Sequence, residues 1–243
     1  MKMLTFAKRT LKEILRDPLT LFFGLGFPGV LIVLLSVIQS NIPVPLFEID
    51  KLAPAMIIFG LSFITLFSAT IIAKDRESAL LTRLYASPMS PLDFIFGYTL
   101  PLLPISLVQG VFCFAVGMLF GLECKVTILY ATLMVIPLSL FFIALGLLFG
   151  SILSQKQVGG VCGALLTNLA AWFSGIWFDL DLVGGTFKKI AYALPFVHGV
   201  KIEQALYAGE FEAVAGHLLL VLGYAVVTFA LASLLFLRQM RKG

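Results

Sequence analysis

Six stretches free of Asp, Glu, Lys and Arg make up most of this chain, at 19–39, 53–73, 94–120, 126–150, 159–178 and 214–236. A helix that crosses the hydrocarbon of a bilayer needs about 20 predominantly apolar residues, and all six stretches are that long. The first shows how strongly insertion is driven. Between Leu19 and Gln39 stand fourteen Leu, Ile, Phe or Val residues. Each is worth roughly −0.3 to −0.6 kcal/mol near the bilayer centre, about −4 to −8 kcal/mol together before Gly26, Pro28 and the polar ends are subtracted. Only 12% of the residues are charged, against about 25% in soluble domains. The expected fold is all-α: one polytopic transmembrane domain over 1–243 with six spanning helices.

The first apolar run begins only at Leu19 and ends in Ser40-Asn41-Ile42-Pro43. It is too long for a signal h-region and lacks a small-x-small site, so an uncleaved N-terminus is expected. Cys113, Cys124 and Cys162 have no metal or redox spacing and read as structural.

Six spans put both termini on one side. Twelve Lys and Arg residues fall there, at 2, 8, 9, 12, 16, 74, 76, 83, 156, 238, 241 and 242, and five fall on the other. The positive-inside rule then places both termini in the cytoplasm of a multi-pass plasma-membrane protein. The net charge of +4 reflects this topology and is no argument for nucleic acid.

Three polar segments carry the remaining information. Residues 1–18 hold a basic amphipathic helix, with Leu4, Ala7, Leu11, Ile14 and Leu15 on one face and Lys8, Arg9, Lys12, Glu13 and Arg16 on the other. Such a helix lies in the membrane surface, and Asp17-Pro18 breaks it and caps the first span. The loop 74–93, KDRESALLTRLYASPMSPLD, is helical in pattern. Leu80, Leu81 and Leu84 lie on one side with Lys74, Arg76, Glu77 and Arg83 around them; Ser87-Pro88 ends it and Ser90-Pro91 starts the next element. This reads as a docking surface, and the pattern alone also fits a solvated loop helix. Residues 179–213 read as two short external helices broken at Leu194-Pro195, the second from about His198 to Tyr207 and ended by Gly209. Gly117/Gly121, Gly146/Gly150 and Gly159/Gly163 have the spacing that lets helices approach closely.

Missing chemistry discriminates as well. None of the six stretches carries a carboxylate, a Lys or an Arg, groups that proton- and ion-coupled carriers commonly place in the membrane. His198 and His217 stand apart in sequence; His217 reads as interfacial and His198 as structural. With no buried acid expected, a hydrolase or transferase set is absent. No G-x-x-x-x-G-K-[ST] phosphate loop occurs, so energy for uphill movement must come from a partner.

These residues carry a resemblance. An amphipathic N-terminal helix ends in Arg16-Asp17-Pro18. The loop after the second span reads Arg76-Glu77-Ser78, then Leu84, then Ser87-Pro88-Met89-Ser90. A long segment after the fifth span carries Leu194-Pro195 and a short helix ending near Gly209. Over nearly its whole length the chain resembles a membrane subunit of the ABC transporter type-2 (export) permease family. That family commonly has Gly after the Glu, where this chain has Ser78.

The resemblance implies a dimer with a second copy or a paralogue, a homodimer being the expectation. Each half docks on a separate cytoplasmic ABC ATPase that holds ATP and Mg, while this chain binds no cofactor or metal and is no enzyme. Arg16, Asp17, Arg76, Glu77, Leu80, Leu84, Ser87 and Pro88 would couple to the ATPase, and Pro195 and His198 would belong to an outer gate. A dry, Phe-rich interior suits an amphipathic drug-like or lipid-like substrate in contact with membrane lipid. On that reading Phe63, Phe67, Asn168, Trp172 and Phe173 are pathway candidates, and each also fits a packing or lipid-facing role. A secondary carrier or channel without an ATPase, and a membrane enzyme or assembly factor, are the alternatives.

Overall fold

The structure, a computed structural model, describes residues 2–78, 80 and 89–240, and all regular elements among them are helical. Helix α1 covers Lys2–Leu15. After one turn at Pro18–Leu21, α2 runs over Phe22–Ser40 and opens with a π segment, Phe22–Gly26. Pro28 accounts for that segment. Its ring lacks an N–H and presses on the carbonyl four residues back, and the preceding wide turn relieves this, with the Phe27 N–H donating to Phe22 O. Helix α3 is Ile49–Glu77. Helices α4 (Pro91–Thr99) and α5 (Leu102–Leu119) form one apolar run broken at Leu100–Pro101, where Pro101 and Pro104 remove backbone donors. Helix α6 is Thr127–Ile152.

Helix α7 joins Gln155–Val158, a π segment Gly159–Leu166 and Thr167–Phe173. The Thr167 hydroxyl donates to Cys162 O, five residues back, at 2.9 Å. Helices α8 (Leu180–Val183), α9 (Gly185–Ala193), α10 (Pro195–Ala208) and α11 (Val214–Met240) complete the chain.

Helix α3 is the axis of the bundle. Of its most apolar window 89% is buried, against 28% for α2 and 22% for α11, which form the shell. Its closest partner is α6. A Cβ on Gly146 would lie 2.8 Å from Thr65 O, and one on Gly150 2.8 Å from Ala69 O. The two backbones therefore touch where side chains are missing, and the Thr65 hydroxyl donates to Phe142 O at 2.8 Å. In the other expected pairs only a single glycine acts this way: a Cβ on Gly117 would lie 2.9 Å from the Ala53 Cβ of α3, so Gly117 lets α5 approach α3. Gly121 has φ +99° and ends the turn after α5, and Gly159 faces open space.

Contacts fix the direction of each helix. At one end of the bundle, Phe6 and Phe94 meet (ring centroids 5.9 Å), and Phe236 near the end of α11 lies 6.2 Å from Phe94. Both chain ends therefore gather at this end. At the far end the Thr127 hydroxyl donates to Tyr207 O at 2.9 Å, and the Tyr207 hydroxyl donates to Asp50 Oδ1 at 3.2 Å. Among the described residues five helical runs have the length and composition to cross a membrane: Phe22–Ser40, Ile49–Glu77, Leu92–Leu119, Thr127–Ile152 and Phe211–Arg238.

The stretch expected to span over 159–178 is shorter as a helix. It stops at Phe173, because the chain turns through Ser174 and Gly175 (φ +77°), and its first turn is the polar Gln155-Lys156-Gln157. Sixteen residues from Val158 to Phe173 rise about 24 Å, short of a ~30 Å core. Trp177 and Phe178 lie beyond the helix. Passage from the α1 end, where α7 starts, to the far end, where α11 starts, is completed by α10.

Helix α10 runs antiparallel beside the far half of α3. Gly199 packs on Ile58, Gln204 donates to Lys51 O at 3.0 Å and Tyr207 reaches Asp50. The expected break at Leu194-Pro195 and stop at Gly209 (φ +86°) both occur. Between residues 179 and 213 three helices form instead of two. Ile190, expected on the apolar stripe with Phe187, Ala191 and Leu194, is 45% exposed, while Ala191 is buried.

Candidate functional site

The last turn of α3 ties four other elements together. Asp75 is 1% exposed. The Arg9 guanidinium of α1 donates to it twice, Nη1 to Oδ2 at 2.5 Å and Nη2 to Oδ1 at 2.7 Å, and the Tyr98 hydroxyl of α4 donates to Oδ2 at 2.9 Å. This planar fork on a carboxylate is the strongest kind of side-chain hydrogen bond, and the Asp75 bond holds the Arg9 guanidinium above its usual range. Glu13 accepts from Arg9 at 2.8 Å and from Lys74 at 2.7 Å. Arg76 donates to Ser151 O and Leu153 O, closing the C-terminus of α6. Glu77 Oε1 accepts the Gln155 N–H at 2.9 Å and so satisfies an orphan donor at the start of α7. Three consecutive side chains thus hold α1, α6 and α7.

Helix α1 sits differently from its expected single apolar face. Its protein-facing side is Phe6, Ala7, Thr10 and Ile14, all buried. Leu4 and Leu15 are 55% and 54% exposed, so these two leucines turn away from the protein. Phe6 fits because Gly97 has no side chain: a Cβ there would stand 2.2 Å from its ring.

Of the expected coupling residues, Arg76 and Glu77 bond within the chain, Arg16 and Asp17 are exposed at the turn after α1, and Leu80 is helical and half-buried. Leu84, Ser87 and Pro88 lie outside the described residues. The loop expected from 74 begins later, since α3 continues to Glu77. At its other end Ser90 caps α4, accepting from Asp93 N–H at 3.3 Å while Asp93 Oδ2 accepts from Ser90 N–H at 2.8 Å.

The five pathway candidates do not converge. Phe63 and Phe67 are buried in the bundle, whereas Asn168 and Trp172 are exposed on α7 and Phe173 stacks on Phe187 at 4.8 Å. Phe63 belongs to an aromatic ladder. It lies 6.1 Å from Phe23, 5.7 Å from Phe27 and 5.5 Å from Phe59, which in turn meets Trp177 at 6.1 Å. Phe67 fills the space opposite Gly24, where a Cβ would stand 2.2 Å from its ring.

At the expected gate, Pro195 is buried and His198 is joined to His217, Nδ1 to Nδ1 at 2.7 Å. The two histidines that stand apart in sequence are therefore in contact. His198 Nε2 faces Tyr192 O at 2.9 Å, so it carries the proton there, and His217 Nδ1–H donates to His198 Nδ1.

A buried acid is present too, against expectation. Glu203 on α10 is 0% exposed, and neither oxygen has a hydrogen-bond partner among the described residues. Gln109 on α5 is also 0% exposed; its Nε2 donates to Ile57 O at 3.4 Å, and its Oε1 has no partner among the described residues.

Asp75, Arg9, Tyr98 and Glu203 were not singled out by the sequence. A signal existed for both acids. Asp75 continues the face of Ser68 and Ile72 at helical spacing, and Glu203 lies on the face of Gly199, Val200, Leu206 and Tyr207. Among the described residues no cluster of three metal-ligating side chains occurs.

The family model of the ABC-2 type transporter matches residues 1–211. No curated protein matches the chain.

Proposed function

From the chain's membership of the ABC-2 type transporter family, whose membrane-spanning permease subunit it is, we infer an exporter half energised by a separate ATPase. On this reading two copies, or the chain and a paralogue, form the transmembrane unit in the plasma membrane with all termini in the cytoplasm. The partner holds ATP and Mg, and this chain supplies the route for an amphipathic drug-like or lipid-like substrate, crossing the bilayer six times.

One observation carries the coupling role: the Asp75–Arg76–Glu77 run. The segment 78–90 leaves α3 directly after it. A push on that segment by an ATPase reaches the end of α3 and, through three sets of hydrogen bonds, α1, α6 and α7 together. Helices held by charge-assisted bonds move as a body, which is what a lever needs. The twelve basic residues on the α1 side support the cytoplasmic assignment of that end. The Phe-rich interior supports an apolar or amphipathic cargo.

The test is co-expression with an ATPase encoded beside this chain, purification, reconstitution in lipid and assay of ATP hydrolysis. A stable complex whose hydrolysis responds to amphiphiles is expected. A chain that purifies alone in mild detergent and in nanodiscs overturns the reading. The buried carboxyl of Glu203 favours a second reading, a proton-coupled carrier; substrate uptake driven by a pH gradient without an ATPase would establish it.

A further inference from the structure

At the α1 end, α1, the turn at Pro18 and α3 enclose an open cleft of about 910 Å³. Its floor is apolar, made by Phe67 and Ile71 of α3 with Thr70 between them, and its rim is basic. Five cations line it: Lys8, Arg9, Lys12, Arg16 and Lys74, against Glu13 and Asp17. Within the protein, Arg9 is spent on Asp75 and Glu13, and Lys74 on Glu13. Lys8, Lys12 and Arg16 have no acidic partner among the described residues. Lys8 and Lys12 stand one helical turn apart on one side of α1, and Arg16 follows four residues on, in the turn after it.

Depth matters as much as charge. Phe67 lies ten residues before Glu77 on α3, about 15 Å along the helix. The floor therefore reaches from the basic rim into the apolar part of the bundle, and the exposed Leu4 and Leu15 set α1 in the interfacial plane.

We propose that this cleft is a binding site for one anionic phospholipid, its phosphate on Lys8, Lys12 and Arg16 and an acyl chain along Phe67, Thr70 and Ile71. A free phosphate would use the rim and ignore the floor. A zwitterionic lipid would use the floor, while its own cation opposes the rim. Only an anionic amphiphile uses both. The site rests on the membrane placement of α1 and not on an ATPase partner.

The full chain in mild detergent is titrated with dioleoyl phosphatidylglycerol or dioleoyl phosphatidylcholine, and lipids retained per chain are counted by native mass spectrometry. One phosphatidylglycerol is expected, retained at ~10-fold or more lower concentration than phosphatidylcholine. The triple variant Lys8→Gln/Lys12→Gln/Arg16→Gln is expected to weaken retention by about 100-fold, at roughly fivefold for each basic residue removed. Thr70→Trp, which fills the floor and leaves every charge in place, is expected to abolish it; Thr70→Leu replaces it should Trp shift the melting curve. Equal retention of the two lipids, wild-type retention by either variant, or displacement by millimolar inorganic phosphate would overturn the site. Loss of ATPase association would leave this outcome untouched, and loss of lipid retention would leave the exporter reading standing.

Discussion

Arg9 and Asp75 are 66 residues apart in sequence and share two hydrogen bonds of 2.5 and 2.7 Å at the end of α3. The pair is lopsided: the Asp75 side chain is 2% exposed and that of Arg9 is 38% exposed. Removing the buried partner's cation leaves a carboxylate with only Tyr98 to satisfy it. Arg9→Ala and Asp75→Ala are each expected to cost about 2 kcal/mol, below the 3–5 kcal/mol of a fully buried pair. A double-mutant cycle measured by thermal melting is expected to show a coupling above about 1 kcal/mol. Additive effects would mean that α1 is held by Phe6 and Ile14 alone.

Gly146 and Gly216 make opposite demands on the same substitution. A Cβ on Gly146 meets Ser68 Cβ at 2.3 Å and Thr65 O at 2.8 Å, whereas nothing lies within 4 Å of Gly216. Gly146→Ala is expected to destabilise by about 1–3 kcal/mol through forced separation of α3 and α6. Gly216→Ala is expected to stabilise by about 0.5–1 kcal/mol through helix propensity. Melting of the two variants in one detergent checks both signs.

Much of this fold was legible because lipid solvation imposes a pattern no soluble chain shows. The helical class, the breaks at Asp17-Pro18, Ser90-Pro91 and Leu194-Pro195 and the glycine stop at Gly209 all follow from local chemistry. Two features did not follow. Apolar composition over 159–178 cannot reveal that Gly175 turns the chain after Phe173, since Trp177 and Phe178 read the same in a helix or in a turn where they pack on Phe59 and Phe187. Reading 179–213 as external also left Glu203 outside, because the partners of α10 on α3 lie about 140 to 160 residues earlier. Asp75 is the same case in miniature. As one acid in a charged loop it reads as solvated, and only the packing of Tyr98 and Arg9 makes it a joint.

Glu77 tests whether the chain's own bonds or a docking contact matter at that position. Its carboxylate accepts the Gln155 N–H at the start of α7. Glu77→Ala is expected to cost about 1 kcal/mol, as loss of a helix N-cap does, and to leave membrane insertion intact. On the exporter reading it also uncouples ATP hydrolysis from transport. Glu77→Asp with wild-type stability and lost coupling would separate the two roles. Unchanged transport in Glu77→Ala would remove the position from the coupling path.

His217 supplies the proton that His198 Nδ1 accepts at 2.7 Å. Without it that nitrogen keeps no partner in a buried setting, a loss of about 1–2 kcal/mol. His217→Ala is expected to lower the melting temperature and loosen the junction of α9 and α10, read as faster amide exchange at Pro195–Ala208. Exchange unchanged across that range would show that Pro195 and Phe196 alone fix the junction.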